Sequence, residues 1–202
     1  MLNHTLKYSY TIIAPIYDFI VSSPTRIARQ KSLAQLNDVT GKKILLCGIG
    51  SGLDLPYLPQ GAEYVGIDLT AAMLKRATKR LQSAQSCYLH QGDVMQLPYA
   101  DESFDIVIMH LILAVVPEPQ KSLDEATRVL NRGGTLLIFD KFLQPHQHAP
   151  VRRLMNPVIK RIATNTNVVF ENLHAPALTV LSNKPALING WFRHIVLEKS
   201  HL

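Results

Sequence analysis

Between Lys42 and Lys141 the spacing of apolar positions alternates between two periods. "KKILLCG" is an unbroken apolar run closed by Gly48, the pattern of a strand covered on both faces. "YLPQGAEYVGIDL" holds a turn and then a second strand ending at Asp68. In "TAAMLKRATKRLQ", Ala72, Leu74, Ala77 and Leu81 fall roughly at helical spacing, with Thr70 as N-cap. "SCYLHQGD" predicts a third strand ending at Asp93, and "FDIVIMHLIL" a fourth. "EPQKSLDEATRVLNRGG" predicts a helix that stops at Gly133 and Gly134, followed by a fifth strand, "TLLIFDKF". Such alternation predicts a parallel, doubly wound sheet. Residues 5–37 predict helix, 150–174 broken helix, and "ALTVLSNKPALINGWFRHIVLEK" an antiparallel hairpin added to the sheet. No repeat or linker divides the chain. The expectation is one domain, with an N-terminal helical cap at 1–40, a core at 41–141, a substrate-side lid at 142–175 and the hairpin at 176–202.

Composition narrows the classes. With 47% hydrophobic and 18% charged residues the chain is globular, not disordered. A net charge of +6 suggests an anionic surface or ligand, but the basic residues are dispersed, so no nucleic acid is expected. Cys47 and Cys87 are too few for a disulfide framework or a zinc cage, and Cys47 reads as a small buried residue. His146 and His148 lack nearby Cys, Asp or Glu partners and read as a solvated loop, so no metal is expected. Pro15 and Asp18 interrupt any secretory leader pattern, and no stretch approaches the ~20 apolar residues of a membrane span. The expected compartment is the cytoplasm, with peripheral membrane contact open.

Gly48, Gly50 and Gly52 alternate straight after the first strand. In doubly wound sheets ligands bind beyond the carboxyl ends of the strands, where glycine lets backbone approach closely. A dinucleotide fingerprint needs glycine or alanine three residues after Gly50, and that position is Leu53. The Gly-Lys-Ser/Thr of a phosphate-cradling loop is absent too. The loop is therefore not built for a pyrophosphate. Asp68 ends the second strand, where a carboxylate accepts from both ribose hydroxyls or serves a helix start. Asp93 meets an adenine amino group or simply closes a turn.

In the order "ILLCGIGSGLDL", "VGIDLTAAML", "QGDVMQLPYADESFDIVIMHLILAVVPEPQKSLDEATRVLNRGGTLLIFD", the chain resembles the class I S-adenosylmethionine-dependent methyltransferases. It is most similar to the type 11 branch, which holds quinone C-methyltransferases and bacterial phosphatidylethanolamine N-methyltransferases. The resemblance spans residues 5–143 and, more loosely, the hairpin. It implies a Rossmann-like, mostly parallel seven-stranded α/β sheet with S-adenosylmethionine as cofactor. Gly48, Gly50 and Gly52 would then bracket the methionine part, and Asp68 would hold the ribose with Leu69 and Met73 beside it. Asp93 and Val94 would meet the adenine, and His110 and Leu111 would lie under the sulfonium. The segment carrying Tyr10 and Tyr17 would fold over the cofactor, offering hydrogen bonds or an aromatic face. His110 and Tyr17 are the catalytic candidates. His110 reads either as a neutral general base or as a buried, hydrogen-bonded histidine. The family carries an acid two residues before the first glycine, where this chain has Leu46. Backbone carbonyls and Asp54 are left to hold the cofactor's ammonium group.

A sulfonium methyl is already electrophilic, so the protein must mainly align a nucleophile and exclude water. That fits a sequence without a Ser/His/Asp pattern, HExxH or CxxC. In "PVRRLMNPVIKRIATN", Val151, Leu154, Met155, Val158, Ile159 and Ile162 form an apolar stripe, with Arg152, Arg153, Lys160 and Arg161 mostly off it and Pro157 breaking the run. The stripe is either a lid helix packed on the core or a basic amphipathic surface for an anionic membrane. The expected reaction is methyl transfer to an amphipathic acceptor, a phospholipid amine head group first and a quinone precursor or soluble metabolite next. A non-catalytic nucleoside-binding regulator is the alternative from another class. The sequence leaves the oligomeric state open.

Overall fold

The computed structural model describes residues 24–81, 86–143 and 168–201. Seven strands among them form one sheet: β1 (Lys43–Cys47), β2 (Glu63–Asp68), β3 (Cys87–Gln91), β4 (Phe104–His110), β5 (Leu130–Lys141), β6 (Leu178–Leu187) and β7 (Phe192–Lys199). Their order is β3-β2-β1-β4-β5-β7-β6. β1 to β5 are parallel, whereas β7 runs antiparallel between β5 and β6. This is the doubly wound, mostly parallel seven-stranded sheet with its C-terminal hairpin.

The central strands are apolar on both sides because both sides are covered. Leu45, Val107, Leu136 and Ile138 face one core cluster with Leu123 and Ala126 of α3 (Pro119–Val129). Ile44, Leu46, Ile108 and Leu137 face the other, with Leu33 of α1 (24–33) and Ala77 of α2 (Ala71–Thr78). The order of β1, β2 and β4 reverses chain direction across the sheet at β1, which opens a crevice at their carboxyl ends.

Several local expectations change. Of the expected stripe on α2 only Ala77 is buried, joined by Met73. Thr70 flanks α2 but makes no capping bond; its hydroxyl donates to Asp68 Oδ1 at 3.0 Å. α3 ends at Val129, ahead of Gly133 and Gly134, which lie in the irregular entry to β5. A Cβ on Gly134 would stand 2.9 Å from the Asp105 carbonyl oxygen, so that glycine serves close strand approach and not a helix stop. β3 ends at Gln91, two residues short of Asp93. The β1–β2 connection carries only a 3-10 turn, Leu55–Tyr57, where Pro56 and Pro59 remove the N–H groups a longer helix needs. Of the expected 5–37 helix, 24–33 is helical and 34–37 is not.

Candidate active site

The glycine loop leaves β1 with three left-handed residues, Gly48 (φ 68°), Gly50 (φ 57°) and Gly52 (φ 81°). Their surroundings separate their roles. A Cβ on Gly50 would meet nothing closer than 4.0 Å, and its N–H donates to Asp68 Oδ2 at 2.9 Å. Gly50 thus leaves room for a ligand and ties the loop to β2. A Cβ on Gly52 would stand 2.9 Å from the Ala77 Cα, so Gly52 lets α2 pack on the loop and is not on the cleft wall. The Arg80 side chain fixes the same loop by donating to the Ser51 carbonyl at 2.6 Å.

A cleft of about 940 Å³, open mouth included, lies over these strand ends. Gly48, Gly50, Asp68, Leu69, Met73, Asp93, Val94, His110 and Leu111 all line it. Apolar walls come from the segment after β4, including Ile112, Val115 and Val116. Tyr10, Tyr17, His146, His148 and the 151–162 stripe lie outside the described residues. Among the described residues no cluster of His, Cys, Asp and Glu is placed to hold a metal.

Asp68 is held from both oxygens. Oδ1 accepts from the Thr70 N–H at 2.9 Å and Oδ2 from Gly50. Burial raises its carboxyl above the ordinary value, against the downward pull of the Thr70 and Gly50 donors. Oδ1 also accepts from the Thr70 hydroxyl at 3.0 Å, so Oδ2 is the oxygen that keeps a lone pair for a further donor. Asp93 Oδ1 accepts from the Met95 N–H at 2.9 Å, so the residue closes a turn and lines the cleft at once.

His110 ends β4 and is 5% exposed. Nδ1 stands 3.1 Å from Asp54 Oδ1, and Nε2 2.9 Å from Ser32 Oγ. Asp54 is acceptor-only when ionised, so Nδ1 donates to it, and in the neutral ring Nε2 accepts from Ser32. Both nitrogens are engaged within the protein. The ring packs edge-on against Phe139, centroids 5.7 Å apart. Burial opposes ionisation of Asp54, but the Arg29 guanidinium and His110 beside it hold its carboxyl well below the usual range. Arg29 Nη1 donates to the same Oδ1 at 2.9 Å, and Nε donates to Thr25 Oγ1 at 3.1 Å. Asp54 therefore stands behind Arg29 and off the cleft wall, while Arg29 itself lines the cleft. Leu46, where the look-alike family has its acid, is buried among Leu33, Ile44 and Ile108.

Leu111 follows His110 with φ 56°, its N–H donating to the Phe139 carbonyl at 2.8 Å. A left-handed non-glycine at a strand end costs of order 1–3 kcal/mol and persists where surrounding contacts fix it. Asp140 helps to fix it. Its Oδ2 accepts from the Ala114 N–H at 3.1 Å, anchoring the segment after β4. Burial pushes the Asp140 carboxyl up to about 6, against the Lys141 and Ala114 donors.

Thr25, Arg29 and Ser32 were not singled out in the sequence. Their spacing along one face of α1 was the available signal, but three polar residues so spaced ordinarily mark a solvent face.

Residues 45–138 match a family described as a methyltransferase domain. A phosphatidylethanolamine N-methyltransferase of Cereibacter sphaeroides is 28% identical, over 91% of this chain and 93% of that one. A demethylmenaquinone methyltransferase of Lactiplantibacillus plantarum is 31% identical, over 85% of this chain and 75% of that one. Among solved structures, a Haloferax volcanii methyltransferase in complex with the Trm112 methyltransferase activator superposes with TM-score 0.79 at 17% identity, over 98% of each chain. A SAM-dependent methyltransferase of Thermotoga maritima gives 0.69 at 18% identity, over 96% of this chain and 100% of that one. The sheet order, the crevice and the glycine loop are thus those of a class I methyltransferase fold. The chain belongs to the S-adenosylmethionine-dependent methyltransferases and is an enzyme of that kind, with S-adenosylmethionine as its cofactor.

The site fits that cofactor: Gly50 leaves the loop side open, Asp68 Oδ2 keeps an acceptor that a ribose hydroxyl would use, and Met73 and Val94 are apolar lining an adenine would pack on.

Proposed function

We propose that the enzyme methylates an amphipathic acceptor, a phospholipid amine head group first. The observation that carries this is the end-to-end match to the Cereibacter sphaeroides phosphatidylethanolamine N-methyltransferase, 93% of whose length is covered. The match therefore includes the lid region and the hairpin, where acceptor preference is expected to reside, as well as the shared cofactor core. The apolar wall formed by Ile112, Val115 and Val116 suits an acceptor with apolar parts and keeps water from the reacting centre.

In this reading Gly48 and Gly50 flank the methionine part, Asp68 with Leu69 and Met73 holds the ribose, and Asp93 with Val94 meets the adenine. Gly52 supports the loop from behind. His110 and Leu111 form the floor under the sulfonium. The bound cofactor supplies an electrophilic methyl group. His110 acts as a fixed floor, its ring nitrogens held by Ser32 and Asp54, and an amine acceptor loses its proton to water or to another group. Tyr10 and Tyr17, outside the described residues, are assigned to the cofactor by the family resemblance alone, with Tyr17 kept as a catalytic candidate. Residues 41–141 carry the cofactor, and 142–175 face the acceptor. Among the described residues no helix is long and apolar enough to cross a membrane. The protein works at the cytoplasmic side of a membrane as a peripheral visitor.

A second reading, methylation of a quinone precursor, is favoured by the higher identity of the demethylmenaquinone methyltransferases, 31% in one case and 35% over 114 residues in another. Methyl-labelled S-adenosylmethionine, incubated with the enzyme and separately with phosphatidylethanolamine vesicles and a demethylated quinone, decides between them. Label in mono- and dimethylated lipid is the expected outcome. Label only in the quinone overturns the lipid reading.

A further inference from the structure

Taking the cofactor reading as given, we infer that Arg29 is the residue that binds the carboxylate of the cofactor's amino-acid end and so separates amino-acid-bearing nucleosides from those without that tail. Arg29 lies on α1, before the glycine loop in the chain, and nothing in its local sequence marks it as a ligand residue.

Four observations carry the inference. First, Arg29 is 6% exposed and yet lines the cleft. A guanidinium so buried needs partners, and its fork is only partly used. Nε goes to Thr25 and one Nη1 bond to Asp54. Nη2 has no hydrogen-bond partner among the described residues and is not among the buried polar atoms left unpaired, so it keeps some access to solvent on a side chain that lines the cleft. Second, its position is at the right end. Asp68 and Asp93 mark the nucleoside end of the proposed site, whereas Arg29 lines the same cleft and shares Asp54 Oδ1 with His110 at the end of β4. A tail leaving the ribose past Gly50 arrives there.

Third, the charges are compatible with a sulfonium nearby. A lone guanidinium would repel the cationic cofactor. Here the ionised Asp54 carboxylate sits 2.9 Å behind Nη1 and cancels the charge at longer range. The N–H donors remain available at contact distance, where a carboxylate takes a bidentate pair. Fourth, the guanidinium is fixed before any ligand arrives. Thr25 and Asp54 hold it, and Asp54 is held in turn by His110, which Ser32 holds from the other side. The site does not spend binding energy on ordering a long side chain. The arrangement also bears on Leu46. With that position apolar, Arg29 and the Asp54 carboxylate behind it are the charged pair at the amino-acid end.

The test compares two ligands that differ in the tail. S-adenosylhomocysteine carries the carboxylate, and 5′-methylthioadenosine lacks it. The variant Arg29→Met with Asp54→Asn removes the pair together, leaving no uncompensated buried charge and keeping an acceptor for His110 Nδ1. Arg29→Lys is a second variant that keeps the charge but not the fork. Each full-length protein is titrated calorimetrically, after a melting curve has shown it folded. In the double variant, affinity for S-adenosylhomocysteine should fall by about tenfold to a hundredfold, the worth of a charge-assisted hydrogen bond or somewhat more, and affinity for 5′-methylthioadenosine should stay within about twofold. Arg29→Lys should fall between the wild type and the double variant. Equal losses for both ligands would mean that Arg29 only shapes the cleft, and overturn the inference. Unchanged affinity for S-adenosylhomocysteine, with a raised KM for the acceptor, would assign Arg29 to the acceptor and overturn it too. A wild-type protein that binds neither ligand would instead refute the cofactor reading on which the inference rests.

Discussion

At the scale of single residues, the site is built from carboxylates whose geometry is set before a ligand enters. Asp68 is the clearest. Donors from Gly50 and Thr70 fix its plane, so the acceptor it keeps on the cleft wall needs no further ordering. On the proposed reading, replacing it with alanine removes the acceptor for a ribose hydroxyl, a bond worth about 1.5–3 kcal/mol when the acceptor is charged. Titration of Asp68→Ala with S-adenosylhomocysteine should therefore give at least about a tenfold loss of affinity while the protein stays folded. Undiminished affinity would reduce Asp68 to a brace for the glycine loop. Asp68, the glycines and His110 were legible in the sequence because rare residue types stood at strand ends, where a doubly wound sheet presents its ligands. Arg29 was not. Thr25, Arg29 and Ser32 share a helix face whose polar spacing is that of an exposed surface. Their partners, Asp54 and His110, are 25 and 78 residues away in the chain. Gly52 was legible as a glycine but not in its role, because Ala77, which it accommodates, arrives from the next helix.

At the scale of elements, the strands were readable and their connections less so. A strand covered on both faces writes an unbroken apolar run, as "KKILLCG" does. Connections obey local exclusions that compete with a helical pattern. Pro56 and Pro59 hold the β1–β2 link to a 3-10 turn, and the lead into β5 takes Gly133 and Gly134 away from α3. The segment after β4 is the connection that matters most for function, since it forms the apolar wall of the cleft. Asp140 pins it through the Ala114 N–H. Burial lifts this carboxyl from 3.8 to about 6, so the folded protein takes up a proton there more readily than the unfolded chain does. Between those two pH values the unfolded state is the one with fewer protons on this group, and its contribution to stability falls as pH rises. Asp140→Asn should thus show a flatter Tm profile than the wild type between pH 3.8 and about 6. It should also have a lower Tm at pH 5, because an amide cannot accept from both the Lys141 and Ala114 N–H groups. Parallel profiles across that window would show that Asp140 is not the group responsible.

At the scale of the whole molecule, the cleft lies at the ends of one sheet, and much of the segment that the proposed reading assigns to the acceptor lies outside the described residues. The basic stripe is among those segments, so its part in the proposed function rests on charge and spacing alone. The whole chain carries a net charge of +6, and Arg152, Arg153, Lys160 and Arg161 flank an apolar stripe interrupted at Pro157. Each Lys or Arg near an anionic bilayer contributes about 1 kcal/mol, a term that salt screens over roughly 8–10 Å. On the proposed reading, four such residues would together contribute about 4 kcal/mol toward holding the enzyme at an anionic surface. The protein should therefore sediment with vesicles containing anionic lipid at low salt and much less at high salt, and zwitterionic vesicles should capture little. Changing the four residues to glutamine should release it while leaving affinity for S-adenosylhomocysteine intact, since the glycine loop and Asp68 are untouched. A lid packed against the core makes the opposite prediction: no vesicle binding at any salt, and full turnover on a water-soluble acceptor. Sedimentation indifferent to salt and to the four substitutions would place the enzyme's acceptor away from the membrane surface.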